Sequence, residues 1–284
     1  MLNQKLIQLS TVLINYYFKG KPLATWKEET QNLAGSDLVL IRGGSGKPLL
    51  VLHDELGYTG WMSWNEELAK DRELIIPLQP GFGKSPRQDW MWRHRDLANY
   101  YLNVIRELGL EKPDVLAFSA GAYTAAEMAA ANPELLGSIT LVGPMGIKPD
   151  EGEIFDIFAA TIKTCLRKTV FNQEAKEFSE IYGGEMSGEQ FELFEDARAE
   201  SARLGWEPYM FNPSLPDLLR SAKNTKLPTL LIRGSEDAVV PQDCIRKYHD
   251  ALPQADIVTI KGTGHRPEIE DSAEFVAAVK HFLA

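Results

Sequence analysis

Residues 114–131 constrain the fold more than any other stretch of the chain. Val115-Leu116-Ala117-Phe118 is an apolar run of a length that suits a buried strand. Ser119 follows it at once, and Ala125-Ala126-Glu127-Met128-Ala129-Ala130-Ala131 continues with strong helix formers. A strand that turns sharply into a helix puts Ser119 at the apex of the turn. That apex is crowded, so the residues two before and two after must be small, and they are Ala117 and Gly121. A buried structural serine in a packing turn would look the same, so the rest of the chain has to decide.

Further apolar runs at 37–42, 48–52, 74–78, 138–142, 228–232 and 256–260 read as strands. Helical spacing appears at 96–108, with Gly109 as its C-cap, and again at 242–252 and 273–283. Strands alternating with helices predict an α/β fold with a mainly parallel central sheet covered on both faces. The glycine cluster at 43–48 lacks the spacing of a phosphate loop and leads into a strand, so it reads as a hairpin or strand connection. Between 147 and 221 only helical patterns appear, with Ile154, Phe155, Ile157, Phe158 and Ile162 on one apolar face. The expected organisation is a core over 23–146 and 223–284, a helical lid over 147–222, and an N-terminal helix over 1–22. Leu6, Leu9, Leu13 and Tyr16 give that helix an apolar stripe, and it either covers the lid or pairs with a second subunit in a homodimer.

Composition removes several classes of function. The chain has 30 Lys and Arg against 40 Asp and Glu, a net charge of −10, which argues against nucleic acid and anionic membranes as partners. No stretch approaches the ~20 apolar residues of a membrane span. The two cysteines, Cys165 and Cys244, form no Cys-x-x-Cys pair, which predicts neither disulfide nor zinc site and suits a reducing cytoplasm. The expected partner is a small-molecule substrate, with no cofactor and no metal.

In open α/β sheets, sites form beyond the carboxyl ends of the strands. Ser119, Asp237 and His265 each follow a predicted strand there, in the order Ser, Asp, His. A serine hydroxyl is a poor nucleophile until a base accepts its proton. Imidazole titrates near neutrality, so His265 can take that proton and return it. A carboxylate must hold the ring in one tautomer and stabilise the imidazolium, and Asp237 would do so, with Glu236 as the rival acid. Asp237 could instead cap the turn before Val239-Val240-Pro241. The backbone N–H groups of Ala120 and Glu55 would receive the oxyanion. His53 suits a role bonding its own loop. His53, Trp61, Trp90, Phe155 and Phe158 are pocket candidates, or else packing residues. His94, His249 and His281 read as surface residues.

These stretches resemble the α/β-hydrolase fold superfamily, in its lid-bearing group of esterases, carbon–carbon bond hydrolases, dehalogenases and epoxide hydrolases. The likeness spans roughly 37–284. It rests on Leu52-His-Asp-Glu-Leu-Gly57, Pro80-Gly-Phe-Gly-Lys-Ser85, Ala117-Phe-Ser-Ala-Gly121, Gly234-Ser-Glu-Asp237 with Pro241, and Gly264-His-Arg-Pro267. The resemblance implies a nucleophile elbow and a Ser119–His265–Asp237 triad. Ser119 argues against the dehalogenases and epoxide hydrolases, which carry Asp at the elbow. The chain departs from the family's pattern at Asp54, where Gly is usual, at Ala117 in the elbow and at Gln79, where Asp is frequent. Carbon–carbon hydrolases of ring-cleavage products often carry an aromatic residue after the triad histidine, and here Arg266 stands. The expectation is therefore a small or medium hydrophobic carboxylic ester cleaved through an acyl-enzyme. Alternatives are a carbon–carbon bond hydrolase of ring-cleavage diketones and a ligand-binding, receptor-like member with slow turnover.

Overall fold

The computed structural model describes residues 25–181, 188–221 and 226–284, so the helix expected over 1–22 lies outside the described residues. The chain runs through β1 (Trp26–Leu33), β2 (Ser36–Gly44), β3 (Lys47–Leu52), α1 (Ser63–Leu68), β4 (Arg72–Pro77), α2 (His94–Glu107), β5 (Asp114–Phe118), α3 (Ser119–Ala131) and β6 (Ser138–Val142). It continues through α4 (Ile162–Thr169), α5 (Lys176–Ile181), α6 (Gly188–Leu204) and α7 (Leu215–Leu219). It closes with β7 (Thr229–Gly234), α8 (Gln242–Ala251), β8 (Asp256–Ile260), α9 (Pro267–Glu270) and α10 (Ser272–Leu283).

All strands join one eight-stranded sheet in the order β1-β2-β4-β3-β5-β6-β7-β8. From β4 to β8 the neighbours are parallel; only the β1–β2 and β2–β4 pairs are antiparallel. The expected mainly parallel α/β sheet is therefore what forms. The consequence for function is direct, because β3, β4, β5, β6, β7 and β8 all end on one edge.

Two local features were left open or unread by the sequence. The 43–48 segment is a connection and not a hairpin, since β2 and β3 lie on opposite sides of β4. The turn needs glycine: Gly46 has φ +121°, and a Cβ there would stand 2.5 Å from the Asp71 carbonyl oxygen. β1 was not legible as a strand. Its sequence, WKEETQNL, is mostly polar because it is an edge strand, specified by its ladder to β2 more than by buried side chains.

The core explains why the central runs read clearly. Every residue of β5 and β6 is buried, which selects apolar side chains at consecutive positions. Helix α3 packs on the sheet through Gly121, where a Cβ would collide with the backbone oxygens of His53 and Leu52. Gly109 takes φ +66° just past α2 and its N–H donates to the Arg106 carbonyl, as the sequence leads one to expect.

Helices α4 to α7 occupy the interval between β6 and β7. Hydrogen bonds tie this interval to the carboxyl edge of the sheet. Ser201 Oγ donates to the Glu55 carbonyl (3.0 Å), His265 N–H to the Thr169 carbonyl (2.9 Å), and Asn172 N–H to Glu270 Oε2 (2.6 Å). Among the described residues no helix is long and apolar enough to cross a membrane.

Candidate active site

Ser119 sits where β5 becomes α3, with φ +48°. A non-glycine residue in that region costs about 1–3 kcal/mol, sustained only because the elements on both sides are fixed. The strain turns the side chain out of the sheet beside the first turn of α3. There the Ala120 N–H lacks an intrahelical acceptor, and the helix dipole favours negative charge.

The register of the sheet brings the next loop alongside. Leu52 pairs with Ala117, so the 53–57 loop leaves β3 next to Ser119. His53 pins this loop. Its Nδ1 bonds to the Asp54 carbonyl (2.8 Å) and its Nε2 accepts the Gln79 N–H (3.1 Å), which places the ring proton on Nδ1. Burial lowers the His53 pKa, consistent with a neutral ring in a structural role. Gln79, which the sequence left without a role, also donates through Nε2 to the His53 carbonyl (3.0 Å). The signal was its position directly after β4, on the same edge as the other candidates.

Asp237 settles two competing readings by doing both. Its Oδ1 accepts the N–H groups of Val239 (2.8 Å) and Val240 (2.9 Å), capping the turn, while Oδ2 meets His265 Nδ1 at 2.9 Å. The rival Glu236 is exposed and accepts from Ser235 Oγ. Both triad side chains are almost wholly buried, at 1% exposure each. Burial raises the Asp237 pKa, but the charge and hydrogen bond of His265 and the N–H groups of Val240 and Val239 outweigh it and hold the carboxyl below its usual range. Burial alone would lower the His265 pKa. Asp237, with Glu55 and Asp54 behind it, outweighs burial and pushes the imidazole up to about 9.

Gly143, directly after β6, makes room for that ring. It has φ +51°, and a Cβ there would lie 2.7 Å from His265 Cε1. Ser119 Oγ and His265 Nε2 are both buried without a directed hydrogen-bond partner. Two groups of complementary chemistry thus stand free on the same sheet edge. Long Ser–His contacts that tighten on substrate binding are usual in unliganded sites.

Two departures from the family's pattern prove to be partners. Arg266 Nη1 meets Asp54 Oδ2 at 2.5 Å, and Arg266 Nε meets Glu268 Oε1 at 2.5 Å. Asp54 Oδ1 also accepts the Leu56 N–H (2.9 Å). The buried Asp54–Arg266 pair therefore joins the loop after β3 to the loop after β8. No sequence spacing could have paired residues so far apart.

The pocket candidates divide. Trp61 stacks on Trp26 with centroids 5.9 Å apart and donates Nε1 to Glu66, which holds it against the antiparallel edge of the sheet. Trp90 is 56% exposed. Of the two readings left open for these residues, Trp61 takes the packing one, while Trp90 lies largely at the surface. Phe155 donates its N–H to the Val239 carbonyl, beside the Asp237 turn, and Phe158 packs edge-on against Tyr209. His94, expected at the surface, is instead buried. It bonds Thr124 Oγ1 through Nδ1 (2.9 Å) and packs on Tyr123, and burial lowers its pKa to about 3.

Comparison with known proteins agrees with this architecture. The model of the Alpha/beta hydrolase family matches residues 38–279. The chain is 28% identical over 267 residues to the 2-hydroxymuconate semialdehyde hydrolase of Pseudomonas sp. (strain CF600), covering 88% of this chain and 92% of that protein. It is 25% identical to a 2-hydroxy-6-oxononadienedioate/2-hydroxy-6-oxononatrienedioate hydrolase of Pseudomonas putida, covering 88% of each. Among solved structures, a meta-cleavage product hydrolase from Pseudomonas fluorescens superposes with TM-score 0.75 at 20% identity, over 90% of this chain and 97% of that one. A putative lipase from Acinetobacter baumannii gives 0.77 at 20% identity, over 91% of each.

Proposed function

Because this chain belongs to the alpha/beta hydrolase family, we propose that it is a serine-type hydrolase acting at a carbonyl carbon, and that the bond it breaks is the carbon–carbon bond of a vinylogous diketone of the ring-cleavage type. The observation that carries the mechanism is the buried His265–Asp237 pair at 2.9 Å, with His265 Nε2 and Ser119 Oγ both left unpartnered. The choice of bond rests on the relatives, since the two compared above by sequence bear names of that class. This reverses the sequence-based preference for an ester, which leaned on Arg266 in place of an aromatic residue. Arg266 is an ion-pair partner of Asp54, so its presence is not evidence about the leaving group.

In this reading Ser119 Oγ attacks the carbonyl carbon and His265 Nε2 takes its proton. The oxygen that gains charge meets the N–H groups of Ala120 and Glu55. Collapse breaks the bond to the departing carbon, whose electron pair is delocalised through the vinylogous system, and His265 returns the proton to that fragment. Water, deprotonated by His265, then frees the acyl group from Ser119. The helices of 147–222 act as the lid, since Ser201 and Thr169 hold the two loops that carry Glu55 and His265.

The ester reading stays as the second, and one observation favours it. Arg266, beside His265 in the chain, is engaged by Asp54 and Glu268, which suits an uncharged substrate better than a dicarboxylate. The test is direct. Purified protein is assayed with a coloured ring-cleavage diketone and with short-chain p-nitrophenyl esters, each beside Ser119→Ala. Loss of the diketone chromophore that depends on Ser119, with weak esterase activity, is the expected result. Turnover confined to the esters would overturn the carbon–carbon reading. Undiminished turnover in S119A would overturn both.

A further inference from the structure

Beyond its backbone N–H, the 53–57 loop brings a whole carboxyl group to the nucleophile. Glu55 is only 1% exposed. Its carboxyl lies beside the Ser119 hydroxyl and within the field of His265, and its Oε2 is buried with no directed partner. Ser119 Oγ, His265 Nε2 and Glu55 Oε2 are each buried without a directed hydrogen-bond partner, and the Glu55 carboxyl is within interaction range of the other two residues. The loop has no freedom to carry this side chain away. Ser201 holds the Glu55 carbonyl, His53 Nδ1 the Asp54 carbonyl, and Arg266 the Asp54 carboxylate.

We propose that Glu55 is a catalytic residue through its side chain: the neutral carboxylic acid donates a hydrogen bond to the substrate's carbonyl oxygen as that oxygen becomes an oxyanion. The proposal rests on the serine-hydrolase reading above and adds to it a donor that family membership does not supply.

The charges around Glu55 favour the acid form. On its own loop stands Asp54, paired with Arg266. Beyond β8 stand His265 and, through Arg266, Glu268. From α4 the buried Cys165 is within electrostatic reach, and Arg198 of α6 is turned to Glu195 and to the Ile157 and Ala160 carbonyls. The neighbouring cation Arg266 is thus committed elsewhere, while Asp54 repels a second anion. Burial, then Asp54, raise the Glu55 pKa, and the Ser119 hydroxyl and His265 only partly oppose this. A carboxylic acid kept neutral by its site can donate to a developing oxyanion, a known device in enzyme catalysis. Glu55 and His265 share one proton: with Glu55 ionised its charge helps hold the proton on His265, and in the reactive form the proton rests on Glu55, so that His265 is free to take the proton of Ser119. No net proton is gained or lost by Glu55 during the cycle. The pair titrates as a unit: a second proton disables His265, and loss of the last one removes the donor.

The experiment compares the parent with Glu55→Gln and Glu55→Leu in three readouts. The first is turnover against pH on a Ser119-dependent substrate. The second is mass-spectrometric labelling of Ser119 by a fluorophosphonate. The third is the infrared carbonyl band of a protonated carboxylic acid. E55L is expected to lose about a hundred- to a thousandfold in kcat with little change in KM, the cost of one oxyanion donor. E55Q, which keeps a neutral donor, is expected to recover most of that loss, to abolish the alkaline fall in kcat/KM, and to remove the acid's infrared band. Parent-like turnover in E55L, E55Q as inactive as E55L, or an alkaline fall that persists in E55Q would overturn the proposal. Labelling separates the two levels of the account. A parent protein that does not label sinks the serine-hydrolase reading itself, whereas labelling with turnover indifferent to Glu55 sinks only this inference.

Discussion

Two buried histidines, His265 and His94, differ in the group that meets their Nδ1 atoms. His265, beyond β8, is 2% exposed and His94, at the start of α2, is 5% exposed. Burial alone would keep both rings neutral. His94 meets a hydroxyl, Thr124, and its pKa falls to about 3. His265 meets a carboxylate, Asp237, and its pKa rises to about 9. The partner on Nδ1, and not the depth of burial, decides whether a ring can take up a proton. The same difference fixes the opposite pH signatures. His265, raised from 6.5, contributes stability that is full below that value and is lost as pH rises through about 9. His94, depressed from 6.5, contributes stability present above that value and lost as pH falls toward about 3.

Substitutions can break or sharpen this contrast. The largest effect is expected from Ser119→Ala, about a millionfold in kcat by analogy with triads that act as a unit, with an unchanged melting temperature within error. Asp237→Asn comes next. It removes the carboxylate that raises His265 and should cost roughly ten-thousandfold in kcat, while the acid limb of the pH–rate profile moves down from its position near 9. A profile whose acid limb stays in place would show that Asp237 is not what sets His265. Gly143→Ala places a methyl 2.7 Å from His265 Cε1, and displacement of the ring should cost about a hundredfold in kcat. His94→Gln is the control. Steady-state kinetics should show a kcat near that of the parent, and denaturant melts should show a loss of about 1–3 kcal/mol from the disturbed Thr124 contact. A large loss of turnover in H94Q would erase the distinction between the two histidines.

The sequence carried the central sheet, and with it the strand ends where the candidate residues stand, because burial on both faces leaves a plain mark. β5 and β6 are apolar at consecutive positions, and Ser119, Asp237 and His265 stand in turns just past their strands. β1 was hidden because an edge strand satisfies its backbone with little apolar side chain. His94, at the start of a helix, was misread as a surface residue. Yet it shares helical spacing with Leu97 and Tyr101, both fully buried, and that periodicity would have placed it inside. Asp54 and Arg266 were each visible as departures, but their pairing depends on how β3 and β8 are placed in the sheet. For Trp61 and Trp90 the sequence left pocket and packing open, because proximity to a site loop says nothing about which face of the sheet a ring covers.

In the proposed mechanism the Asp237–His265 pair activates Ser119. The most direct test is the rate of fluorophosphonate labelling measured across pH, with the adduct located by mass spectrometry. The account predicts a stable adduct on Ser119 in the parent. Its formation should quicken as pH rises toward about 9 and slow steeply in D237N, while H94Q labels like the parent. A folded parent protein that forms no adduct on Ser119, or labels there equally fast in D237N, would contradict it.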